Sequence, residues 1–162
     1  MPNAPVVSVT IGRWAVAAAP SQLRTLLGSC IGVALHDRAA KVGGLAHIVL
    51  PASRGAVDHP GKYADTAIPA LLAEIEKAIR GKASGRLVAK LVGGASMFPT
   101  AGENPARNIG RLNQEAAEAI LSALRIPVLA RDVGGEAGRN MTLDPSTGRV
   151  WIRSPSGDGR EI

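Results

Sequence analysis

A chain of 162 residues with a formal net charge of +6, 46% hydrophobic and 20% charged residues has the make-up of a single globular domain with a real core. No apolar stretch approaches the roughly 18 residues of a membrane span, and no basic segment leads into a long apolar run at the N-terminus, so neither membrane insertion nor a secretory leader is expected. The one cysteine excludes an internal disulfide and points to the reducing cytoplasm, while the few aromatics (Trp14, Tyr63, Phe98 and Trp151) leave the core to Ala, Val, Ile and Leu.

In chain order, Pro5 to Ile11 and Arg13 to Ala18 read as a first pair of strands, and Gln22 to Leu27 leads into a Gly28-Ser29-Cys30 corner. Ile31 to His36 and Val42 to Leu50 flank the polar break Asp37-Arg38-Ala39-Ala40 and read as a β-hairpin. Ala52 to Gly61 is a surface loop by its Pro, Gly, Ser and Asp content. Ile68, Leu71, Leu72, Ile75 and Ile79 then recur at helical spacing, which requires Pro69 to sit in the first turn. Leu87 to Val92 is a buried-type strand running into Gly93-Gly94, and Thr100 to Arg107 is a loop. A second helix is expected from about Asn108 to Leu124, with Ile109, Leu112, Ala116, Ile120 and Leu124 inward. Pro127 to Val133 is a strand, Asn140 to Leu143 pairs with Arg149 to Arg153 around Asp144-Pro145-Ser146-Thr147-Gly148, and a loose polar tail begins at about Ser154. The pattern implies one α/β (α+β-like) domain over 1–162, with mixed sheet layers and two long helices.

Cys30 is the side chain best suited to making and breaking a covalent bond. If the hairpin turns between Arg38 and Ala39, Cys30 and His47 lie directly opposite, with Cβ atoms roughly 4.5–5.5 Å apart. A one-residue slip would send them to opposite faces. On composition alone a lone cysteine in an apolar run is a buried core residue. Its place after Gly28-Ser29 favours a nucleophile, because a sharp corner frees main-chain N–H groups for an oxyanion, and a nearby imidazole would lower the thiol pKa. His36 shares the strand face of Cys30 but lies about 20 Å away at roughly 3.3 Å per residue. His59 falls in the loop before the first helix.

Other signals are weak. The excess positive charge reads as a solvated basic surface: the cluster Lys77, Arg80, Lys82, Arg86 and Lys90 holds no aromatic for base stacking, so nucleic acid is not an expected partner. One cysteine and histidines at 36, 47 and 59 do not have metal-ligand spacing. Gly93-Gly94-Ala95-Ser96 lacks the patterns of a phosphate loop and is better read as a tight turn.

The residues Thr25-Leu26-Leu27-Gly28-Ser29-Cys30, Gly43 to Pro51, Lys62-Tyr63-Ala64-Asp65, Lys90 to Met97, Asn108 to Asn113, Asp132 to Gly135 and Gly138-Arg139 together resemble the chemoreceptor glutamine deamidases, the CheD family of bacterial chemotaxis. The likeness runs in order through nearly the whole chain. It implies a three-layer α/β/α sandwich and a cytoplasmic hydrolase that converts glutamines of methyl-accepting chemotaxis receptors to glutamate through a cysteine thioester, without a cofactor. It puts the catalytic cysteine on Cys30, the histidine on His47 and the imidazole-orienting threonine on Thr25. Gly28 and Ser29 would form the oxyanion turn, and Gly93, Gly94 and Ser96 a substrate-side loop. Some members bind the phosphatase CheC, so CheC is a candidate partner. The alternatives are a non-catalytic chemotaxis adaptor and a cysteine amidase or peptidase with another substrate.

Overall fold

A computed structural model describes residues 4–56, 58–97 and 108–162. The loop expected over residues 100–107 lies outside them.

Two five-stranded sheets lie face to face. The central sheet has the order β2 (Trp14–Ala18), β5 (Val42–Ile48), β4 (Ile31–Asp37), β6 (Leu87–Gly93), β7 (Val128–Val133). The outer sheet has the order β1 (Val6–Ser8), β3 (Gln22–Leu27), β8 (Arg139–Leu143), β9 (Val150–Arg153), β10 (Gly159–Glu161). Both helices, α1 (Ala64–Ile79) and α2 (Ile109–Ala123), pack against the central sheet.

The burial patterns follow from this layering. Every residue of β4 and β5 is buried, because helices cover one face and the outer sheet covers the other. In β3, β8 and β9 burial alternates, as in a sheet wetted on one side. One apolar cluster joins Ile31, Val33 and Leu35 of β4 to Ile68, Leu71 and Ile75 of α1 and Leu121 of α2. A second lies between the sheets and joins Leu23 and Leu27 to Ala34, Leu45, Val92 and Met141. The three layers are therefore helices, sheet and sheet. The α/β/α order that the resemblance implies is not what this chain adopts, since both helices occupy one side.

Four local expectations are corrected. β1 and β2 do not pair: β1 runs parallel to β3, and β2 runs antiparallel to β5 in the other sheet. Pro69 lies in the second turn of α1, which opens at Ala64. Of the face expected inward on α2, Ala116, Ile120 and Leu124 pack half-buried against the core, whereas Leu112 is exposed and the fully buried residues are Gly110, Asn113, Ala117 and Leu121. The residues expected as a loose tail form β10, antiparallel to β9, and Ile162 exchanges main-chain hydrogen bonds with Val150. No helix among the described residues is long and apolar enough to cross a membrane.

Candidate active site

The hairpin β4–β5 forms, in a different register. Gly32 stands opposite His47, and Asp37 opposite Val42. The cause is the turn. Asp37 Oδ1 accepts the Ala40 N–H at 3.0 Å, and Lys41 takes a left-handed conformation (φ 54°), so the connection is longer than a two-residue turn. The buried Asp37 carboxylate is also paired with Arg86 Nη2 at 2.8 Å. The shift is by two residues, which preserves the face. Cys30 becomes a diagonal neighbour of His47, a relation that spans roughly 7–8 Å in a regular sheet. Both side chains line one cavity of about 740 Å³ between β3, the Gly28-Ser29-Cys30 turn and the end of β5. Among the described residues no hydrogen bond joins the sulfur to the imidazole in this resting arrangement.

Thr25 points inward from β3 and is buried. Its Oγ1 donates to the Val9 carbonyl at 2.7 Å and lies 2.7 Å from His47 Nδ1. A hydroxyl has one proton, and a carbonyl oxygen only accepts. With that proton committed to Val9, Thr25 accepts from His47 Nδ1–H. The neutral ring is thus fixed as the Nδ1–H tautomer, which leaves the Nε2 lone pair free.

Burial sets the charge states. It lowers the His47 pKa to about 4. It raises the Cys30 thiol above its ordinary value, partly offset by the cysteine's own N–H. The expected lowering of the thiol by the imidazole is therefore not found. At neutral pH the thiol and the imidazole are therefore both uncharged in this arrangement.

The turn is held from behind. Gly94 N–H donates to Cys30 O at 2.8 Å, and Ala95 N–H to Gly28 O at 3.0 Å. Gly93 needs its glycine: its φ is +106°, and a Cβ there would collide with Cys30 O. Ser96 N–H donates to Gly135 O at 2.8 Å. The 134–137 loop is pinned in turn by buried Arg139, which donates to Asp132 Oδ1 at 2.8 Å and to the carbonyls of Gly134 and Ala137. Gly93, Gly94 and Ser96 thus support the corner, and it is Met97 from the same segment that lines the cavity. His36 is away from the site, its Nε2 hydrogen-bonded at 2.8 Å to Pro145 O, and His59 is exposed beside Asp58.

Sequence reasoning missed the Val9 carbonyl and the apolar rim. Ile11, Leu26 and Met97 line the cavity yet are 64%, 71% and 43% exposed. A second groove of about 610 Å³ shares Leu26, Gly28, Met97 and Asn140 with the first. The alternating pattern of β3 marks Leu26 as an apolar residue on the polar face, and that was the available signal.

A family model described as CheD chemotactic sensory transduction matches residues 49–154. A probable chemoreceptor glutamine deamidase CheD of Desulforamulus reducens is 46% identical over 151 residues, covering 91% of this chain and 90% of the relative. The chemoreceptor glutamine deamidase CheD of Thermotoga maritima is 43% identical over 150 residues, covering 92% of each. A probable chemoreceptor glutamine deamidase CheD of Methanococcus maripaludis is 42% identical, covering 91% of this chain and 94% of the relative. At that identity over that length, the chain belongs to the CheD family.

Proposed function

We propose that this chain is a cytoplasmic protein-glutamine deamidase that acts on chemoreceptors through a thioester on Cys30. The observation that carries the reading is the relay from Val9 O through Thr25 to His47, which frees Nε2 in the cavity that Cys30 lines. Binding of the glutamine brings sulfur, imidazole and amide together. His47 Nε2 takes the thiol proton as sulfur attacks the carboxamide carbon, and the carbonyl electron pair moves onto oxygen. The imidazolium returns that proton to the nitrogen, the C–N bond breaks and ammonia leaves. Water, deprotonated by the neutral ring, then opens the thioester, giving glutamate and restoring the thiol. The uncovered apolar rim of Ile11, Leu26 and Met97 suits a protein segment better than a small soluble amide. CheC enters as a candidate regulator on family resemblance alone.

The test is incubation of a purified chemoreceptor cytoplasmic domain with the wild-type chain, reading ammonia release and amide-to-acid conversion by peptide mass. Conversion without chain cleavage is the expected result. Ammonia without conversion at receptor glutamines, or a cut receptor chain, would replace this reading by an amidase or a peptidase. Thr25→Val is expected to lower kcat by about 10²-fold or more with KM little changed, because the ring then loses its tautomer control. Thr25→Ser is expected to recover most of the rate, and equal activity in Thr25→Val would refute the relay.

A further inference from the structure

We infer that Asn113 is the residue that aims the Cys30 N–H, by locking the Ser29–Cys30 peptide plane from beneath. Asn113 projects from the inward face of α2 and is fully buried. Its Nδ2 donates to Ser29 O at 3.2 Å and to Val49 O at 2.9 Å. The amide orientation is dictated by these partners, since a flipped amide would face two carbonyl oxygens with a third. The opposite atom, Oδ1, has no hydrogen-bond partner among the described residues. An apolar helix face would not hold such a group unless its donors had a task.

The two acceptors explain the task. Ser29 O belongs to the same planar peptide unit as the Cys30 N–H, and in a trans peptide the two point in opposite directions. Drawing Ser29 O toward α2 turns the Cys30 N–H away from it. That N–H has no main-chain acceptor among the described residues and acts on its own sulfur. Val49 lies two residues after His47, just past the end of β5. One side-chain amide therefore ties the nucleophile turn to the strand of the base. The start of α2 is brought close enough by Gly110, where a Cβ would collide with Gly94 O.

Asn113 touches no reacting atom and is a positioning residue. This rests on the reading of Cys30 as an acyl-accepting nucleophile, but not on which amide it attacks. The test compares two reactions of the whole chain. With p-nitrophenyl acetate, the Sγ–C bond forms, nitrophenolate leaves and the thiol proton passes to His47, through an oxyanion that needs the Cys30 N–H. With iodoacetamide, sulfur displaces iodide at a methylene carbon, and no oxyanion forms.

In Asn113→Ala the nitrophenolate burst is expected to slow by about 10²-fold, within the range for loss of one oxyanion donor. Alkylation is expected to slow far less than the burst, through the thiolate fraction alone, because the Cys30 N–H also acts on the resting sulfur. Equal loss in both reactions, or loss in neither, overturns the proposal. Should Asn113→Ala fail to fold, the wild-type chain supplies a second measurement: the Cys30 amide proton resonance is expected to move downfield when a peptide aldehyde forms a hemithioacetal on Cys30. No movement on a demonstrated adduct also overturns it. If receptor glutamines prove not to be the substrate while the burst persists, the functional reading fails and the role of Asn113 stands.

Discussion

Cys30→Ala is expected to abolish receptor deamidation, with a fall in kcat on the order of 10⁶, while leaving the fold in place. The size follows from the chemistry. With sulfur gone, the hydroxyls left in the cavity lining, Ser8, Thr10 and Ser29, are far weaker nucleophiles than a thiol, and that of Thr25 is already committed to His47 Nδ1. The expected stability change is small. The thiol is buried but its removal deletes a single atom, so the effect is about 1 kcal/mol, or a melting shift of about 2–4 °C in a chain of this size. Receptor peptide mass and a thermal melt on the same sample separate loss of chemistry from loss of structure. Full activity in Cys30→Ala would leave water activated by His47 as the attacking group, and the thioester route would be wrong.

The parts of the site that were legible in the sequence are those set by alternation and by short-range spacing. The face shared by Cys30 and His47 survived a two-residue change of register because side chains alternate with a period of two. The register itself was not legible, since it depends on an Asp37 side-chain bond to Ala40 and on the backbone of Lys41. The family resemblance pointed to Thr25, but its link to Val9 depends on β1 lying parallel to β3, a contact that no local pattern announces. The same holds for the two first strands, which neighbour each other in sequence and belong to different sheets.

The second helix is the most instructive partial miss. Reading the largest apolar residues inward selects Ile109, Leu112, Ala116, Ile120 and Leu124. Ala116, Ile120 and Leu124 do pack against the core, but the fully buried stripe is the smaller series Gly110, Asn113, Ala117 and Leu121, also at helical spacing, and Leu112 is left exposed. Close approach of Gly110 to Gly94 and the two carbonyls waiting for Asn113 outweigh the burial of Leu112, which a hydrophobic pattern alone cannot anticipate. Where a sequence departs from the apolar optimum, the polar residue that goes inside is the one to test for function.

Acidification is expected to destabilise this protein between pH 6.5 and about 4 through His47 alone. The imidazole has its ordinary pKa of 6.5 in the unfolded chain and is pushed down to about 4 by burial in the fold. Between those values the unfolded chain binds a proton that the folded chain does not. Stability is therefore complete above pH 6.5, falls as the pH drops, and has lost this contribution in full below about 4. The ceiling is about 3 kcal/mol, from about 1.4 kcal/mol for each unit of difference. His47→Gln keeps an N–H that can donate to Thr25 and removes the titration. Urea unfolding of both proteins across this range is expected to give curves that converge toward pH 4, with the wild-type chain the steeper. The same value governs catalysis: kcat/KM is expected to stay flat from pH 5 to 7 as far as the base is concerned, because the free ring is already neutral there. A drop in kcat/KM centred near 6.5, together with parallel urea curves, would mean that the imidazole titrates as if in water and that the relay to Thr25 does not hold it in the buried position from which the whole mechanism draws its base.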